Sequence, residues 1–157
     1  MSELLHAIYR GDQSRVDELL EADAKLDVFE AAALGKADRL RELLDEDPSL
    51  ANAWAQDGFQ PLGLASFFGH IEAARLLVGG GAEINSASRN DQKVMPLHSA
   101  AATRDPEARF EIAKLLLEHG ADPNARQQDD FTPLMAADQS GDERLARLLE
   151  EHGARRV

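Results

Sequence analysis

Three observations predict an all-α solenoid of repeated helix-turn-helix units. Leu-Leu pairs begin at Leu19, Leu43, Leu76, Leu115 and Leu148, at intervals of 24, 33, 39 and 33 residues. A recurring period of this length marks stacked supersecondary units, each too small to fold alone. The pairs sit in apolar seams of helical spacing, as in IAKLLLEHGADPN (112–124), and a glycine or proline follows to end the helix. Apolar residues make up 43% of the chain and aromatics only 5%. The core is therefore Ala and Leu, which suits close helix packing better than a β-sandwich. The length of 157 residues fits one domain. Its units are expected at about 4–27, 28–54, 55–87, 88–126 and 127–154.

In the first unit, LLHAIYR (4–10) is a helix ended by Gly11-Asp12, and residues 14–21 form the second helix around Val16, Leu19 and Leu20. The chain then passes through ADAKLD directly into the next unit, which accounts for the short interval of 24. The second unit has VFEAAAL (28–34), stopped at Gly35, and a helix over 37–45 that Pro48 prevents from continuing. In the third unit, Asp57-Gly58 marks a hairpin-type turn and Pro61 opens LGLASFF (62–68), since proline suits the first helical position. Its second helix spans 71–78 and runs into Gly79-Gly80-Gly81. In the fourth unit, Pro96 opens LHSAAAT (97–103), an insertion follows at 103–110, and a helix spans about 108–119. In the fifth unit, Thr132 caps LMAADQS (134–140) and the last helix spans 143–151.

These units resemble the ankyrin repeat. The resemblance rests on Asp57-Gly58, Pro61-Leu62, Ala65, Gly69-His70, Leu76-Leu77, Gly81-Ala82 and Asn85. The same register returns in Pro96-Leu97-His98, Ala100-Ala101, Leu115-Leu116, Gly120-Ala121-Asp122 and Asn124, and again in Thr132-Pro133-Leu134, Ala136-Ala137, Gly141, Leu148-Leu149 and Gly153-Ala154. It implies an ankyrin-repeat solenoid of about five units and ten helices, with short β-hairpin-like fingers after units two to four. The chain departs from the pattern at Gln60 and Met95, which replace the motif threonine, and at Gly63 and Met135, which replace the motif histidine.

Composition narrows the function. The chain has 29 acidic and 17 basic residues, a net charge of −12, and no basic cluster to draw it to a polyphosphate backbone; nucleic acid is not expected as a partner. No apolar run approaches the ~20 residues of a membrane span, so no membrane association is expected. The N-terminal residues show no basic leader followed by an apolar block, and the expected location is cytoplasmic. Cysteine is absent, which removes disulfides and thiolate chemistry.

No catalytic constellation survives the repeat alignment. His119 and His152 are 33 apart and hold equivalent places, and none of the five histidines has an i, i+4 histidine partner. Ser99 follows His98 on one helix, where sequence neighbours point in different directions. Gly79-Gly80-Gly81 lacks the Lys-Ser/Thr of a phosphate loop. The expectation is a non-enzyme with no cofactor and no metal.

The resemblance implies that the ends of the first helices and the finger tips face a concave groove that meets partners. By alignment the helix-end candidates are Tyr9, Arg10, Leu34, Phe67, Phe68, Thr103, Gln139 and Ser140. The finger candidates are Gln56, Asp57, Phe59, Asn90, Lys93, Val94, Asp129, Asp130 and Phe131. Trp54, at a finger base, is either a packing residue or an anchor. Tyr9, Leu34, Phe67 and Phe68 are expected to form one apolar strip, unless one Phe packs into the core. The expected function is binding another protein, as an adaptor or inhibitor. A self-associating structural protein and an accessory domain of an enzyme complex are the alternatives. A monomer is expected, with a homodimer through the groove or a poorly capped end as its rival.

Overall fold

The computed structural model describes residues 2–22 and 25–156. Ten helices run in order: α1 (Glu3–Arg10), α2 (Gln13–Glu21), α3 (Val28–Leu34), α4 (Ala37–Glu46), α5 (Pro61–Phe67), α6 (Ile71–Gly79), α7 (Pro96–Ala102), α8 (Pro106–Glu118), α9 (Pro133–Ser140) and α10 (Glu143–Glu151). They pair as α1–α2 through α9–α10. The odd-numbered helices pack on one another in one layer, and α4, α6, α8 and α10 pack successively in the other. No β-strand occurs among the described residues.

Side-chain size explains the two layers. Ala7, Ala31, Ala32, Ala65, Ala100 and Ala137 are buried on the odd helices, and their small side chains let these helices approach closely. Leu40, Leu77, Leu116 and Leu149 are wholly buried and fill the space between layers. In the third and fourth units the first residue of the Leu-Leu pair, Leu76 or Leu115, is more exposed than the second, and in the second unit both Leu43 and Leu44 pack at the core's edge.

The helix boundaries follow local capping. Asp12 accepts from Arg15 N–H, so α2 starts at Gln13, one residue earlier than expected. Asp105 accepts from Glu107 N–H and Pro106 takes the first helical position, so α8 starts two residues early. Pro61, Pro96 and Pro133 are likewise inside their helices. The turn after α4 is a 3-10 helix, Pro48–Asn52, with Asp47 bonded to both Ser49 N–H and Ser49 Oγ–H.

The two lost motif threonines are replaced in different ways. Thr132 accepts from Met135 N–H at 3.3 Å. Gln60 instead donates to the Asn52 carbonyl at 3.0 Å. At Met95 the backbone N–H is taken by His98 Nδ1 at 3.2 Å.

One asparagine at each of the last three joints ties successive turns together. Asn52 donates to the Gly81 carbonyl at 2.9 Å and accepts from Glu83 N–H at 2.8 Å. Asn85 does the same to Gly120 and Asp122, at 3.0 and 2.8 Å, and Asn124 to Gly153 and Arg155, both at 2.9 Å. Each amide uses both its donor and its acceptor, a geometry no aliphatic residue reproduces.

The fingers close by single backbone pairs: Ala55 N–H to Phe59 O, Ser88 N–H to Val94 O and Gln127 N–H to Phe131 O. Neighbouring fingers are joined by Arg89 N–H to Gly58 O and Gln128 N–H to Gln92 O, both 2.8 Å. Gly58 is required here: its φ is +93°, and a Cβ would lie 2.5 Å from the Arg89 carbonyl oxygen.

The insertion of the fourth unit is a joint as well. Arg109 is only 9% exposed. Its Nε and Nη2 donate to the Thr103 carbonyl at 3.0 and 2.8 Å, and its Nη1 meets Asp142 at 2.9 Å. Asp142 also caps α10 by accepting from Leu145 N–H. Burial opposes ionisation of Asp142, but the bonds from Leu145 N–H and Arg109 outweigh it and hold its carboxyl below the ordinary range. Outside this pair, Arg144 reaches back to Glu107 at 3.0 Å and lies 3.6 Å over the Phe110 ring.

Candidate protein-binding groove

Three aromatic rings from two odd helices meet on the finger side of the stack. Tyr9, in the last turn of α1, stacks on Phe68 with ring centres 6.0 Å apart and planes 11° apart. Phe67 meets Phe68 edge-on, at 5.0 Å and 89°. Phe68 rests against the core, whereas Phe67 is 49% exposed and Tyr9 38%. Sequence position explains the difference: α5 ends at Phe67, and consecutive residues at a helix end leave it in different directions.

The Tyr9 hydroxyl donates to Asp57 Oδ2 at 2.7 Å, linking α1 to the first finger. Partial burial, then the hydrogen bond and charge of Asp57, push the phenol pKa far above its ordinary value. Tyr9 therefore stays a neutral donor at any physiological pH.

Beside these rings lies a groove of about 410 Å³ between α5, α7 and the fingers. Of the sequence candidates, Tyr9, Phe59, Phe67, Phe68 and Val94 line it. Gly63, Leu64, Gln92, His98, Ser99, Ala102 and Gln127 complete the wall. Gly63 had a visible sequence signal, since it replaces the motif histidine; Gln92 and Gln127 had none, because finger stacking brings them in.

The other candidates lie off the groove wall. Leu34 is half-buried against the core. Trp54 is half-buried with the Arg89 guanidinium 3.9 Å over its ring, a packing role at the finger base. Gln56, Lys93, Asp129 and Asp130 are exposed around the tips, the last three with positive φ. Asn90 braces its own finger, donating to the Asp57 carbonyl at 3.1 Å, and Phe131 is half-buried. Arg10, Gln139 and Ser140 are exposed at helix ends, with Ser140 Oγ donating to Ala137 O at 3.1 Å.

Thr103 corrects the sequence reading. It is 3% exposed, and its carbonyl is held by Arg109. The insertion folds over it, so its side chain offers a partner no surface.

His98 is buried in the groove wall with both ring nitrogens engaged. Nδ1 accepts from Met95 N–H, so Nε2 carries the proton and donates to the Ala125 carbonyl at 2.9 Å. His70 Nε2 lies 2.9 Å from the Ala33 carbonyl. Desolvation outweighs these carbonyls and lowers both pKa values from 6.5. Below pH 6.5 the unfolded chain then binds more protons at these histidines than the native state does. Their stabilisation is complete above that value and is lost as pH falls from it through the lowered native pKa values. Urea midpoints measured at about pH 7.5 and about pH 5.5 are expected to show a drop, smaller in His98→Gln.

Among the described residues, no group of three or more His, Asp or Glu side chains is placed to hold a metal ion, and no helix is long and apolar enough to cross a membrane.

The geometry defines a stack of helix pairs with asparagine-tied turns and finger loops. Sequence comparison agrees: a family model described as ankyrin repeats (3 copies) matches residues 80–156, and one described as ankyrin repeat matches 57–89. The chain belongs to the ankyrin-repeat family, whose repeats serve generally as protein–protein interaction modules. It is 32% identical over 137 residues to ankyrin repeat, SAM and basic leucine zipper domain-containing protein 1 of Ornithorhynchus anatinus. It is 31% identical over 131 residues to ankyrin repeat and SAM domain-containing protein 6 of Rattus norvegicus. These alignments take in 87% and 82% of this chain but span only 28% and 14% of the relatives' lengths.

Proposed function

We propose that this chain binds a partner protein through the groove beside Tyr9, Phe67 and Phe68, acting as an adaptor or inhibitor rather than as a catalyst. The observation that carries this reading is the exposure of Phe67. A phenylalanine 49% open to water, braced edge-on by a second ring, is an anchor held ready at no folding benefit to itself. It stands in a row with Tyr9 and above an apolar groove, in a chain otherwise poor in aromatics. The acidic net charge favours a neutral or basic partner.

The test is affinity capture by wild type and by Phe67→Ala. Phe67 carries little of the core, so the variant is expected to keep its unfolding midpoint while losing specific partners. Capture of the same partners at the same yield by Phe67→Ala would place the contact surface elsewhere.

A further inference from the structure

We propose that the groove above Gly63 is an anchor subsite that takes one bulky, uncharged apolar side chain from a neutral or basic segment of the partner. This rests on the reading of the groove as the binding face.

The subsite owes its existence to a missing side chain. Gly63 occupies the position that His98 fills one unit later, and there the imidazole closes the space between its helix and the next finger by bonding to Ala125 O. At Gly63 an added Cβ would meet nothing within 4 Å, and its backbone is ordinary helix. Glycine here is not demanded by any turn or close approach. Glycine in the first turn of α5 has poorer helix propensity than alanine, and what it leaves is open volume in the groove floor. Ala102, exposed at the end of α7, keeps the opposite side low.

The lining states what fits. In a chain in which 29% of residues are charged, no Asp, Glu, Lys or Arg lines the groove. The walls are Tyr9, Leu64, Phe67, Phe68 and Val94, with the side-chain amides of Gln92 and Gln127 available to a peptide backbone. A charged anchor would be stripped of water there with no counter-ion. The volume of about 410 Å³ lies near the low end of the ~300–1,000 Å³ of ligand pockets, enough for a large side chain and its adjoining backbone. The charge of −12 opposes the other occupants of an apolar groove. A second copy of this chain brings the same charge, and an anionic lipid surface or nucleic acid is repelled.

The test uses a random peptide library of about twelve residues, panned on the immobilised chain, with affinities then measured for wild type, Gly63→Leu and Phe67→Ala. Leucine at 63 fills the floor without strain and improves helix propensity, so its unfolding midpoint is expected to equal or exceed that of wild type. Ala102→Leu fills the groove from the other side as an independent variant. The expected result is peptides with a bulky apolar residue and no acidic flank, weakened at least about tenfold by Phe67→Ala and by both fillers. Binding weakened by Phe67→Ala but untouched by Gly63→Leu and Ala102→Leu overturns the subsite and leaves the groove reading standing. Binding untouched by all three overturns both. Enrichment of acidic peptides, or of none, overturns the inference.

Discussion

Leu116→Ala is expected to lower the unfolding free energy by about 2–5 kcal/mol, the range for truncating a fully buried leucine. Leu116 is wholly buried on α8, between the two layers and in the middle of the stack. It has neighbours on both sides, since α8 packs on α6 and α10 as well as α7. The rigid backbone of three surrounding helices limits collapse into the void, which places the cost in the upper half of that range. The measurement is urea unfolding followed by circular dichroism. A midpoint within error of wild type would remove Leu116 from the core.

Arg109→Ala is expected to cost about 3–5 kcal/mol, because it leaves the Asp142 carboxylate and the Thr103 carbonyl enclosed without their partner. The size of the effect comes from what is stranded, not from the strength of the pair. That distinction is testable. Arg109→Met paired with Asp142→Ser keeps the apolar stem and a capping oxygen for α10 while removing both charges. The double variant is expected to recover most of the loss, and a double-mutant cycle gives the coupling. Losses that simply add would mean that the two side chains act independently.

The architecture was legible because its grammar is local and repeated. Glycine stops, proline starts and Leu-Leu seams are read within a few residues, and each copy checks the others. The helix starts at Gln13 and Pro106 were misplaced because an aspartate cap outranks the apolar pattern in choosing the first turn. The groove was partly legible for the opposite reason, that the copies disagree there. Phe67 and Phe68 stand where the fourth and fifth units carry Ala102, Thr103, Gln139 and Ser140, and this disagreement marked the face. Its depth was hidden, since a glycine in a helix says nothing of the void above it until the next unit is stacked. Thr103 was misread because the repeat alignment carries no information about an insertion. Only the fold shows Arg109 turning back to hold that segment down. The Tyr9–Asp57 bond joins residues 48 apart and had no sequence signal at all.

The asparagine ties have a mechanical meaning. Asn52, Asn85 and Asn124 each fasten a different joint, so a load drawn along the stack passes from joint to joint, through each amide in parallel with the finger bonds and helix packing beside it. Such an assembly is as strong as its weakest coupling, and stiffening one link leaves the others unchanged. The earliest joint, between α2 and α3, has no asparagine of this series. There the Ser2 hydroxyl donates to Glu30 Oε2 at 2.8 Å and Arg39 Nε to the Leu26 carbonyl at 3.0 Å, and the Tyr9–Asp57 bond adds a stay from α1 to the first finger. The same tyrosine that walls the groove thus also ties α1 to the finger at its mouth.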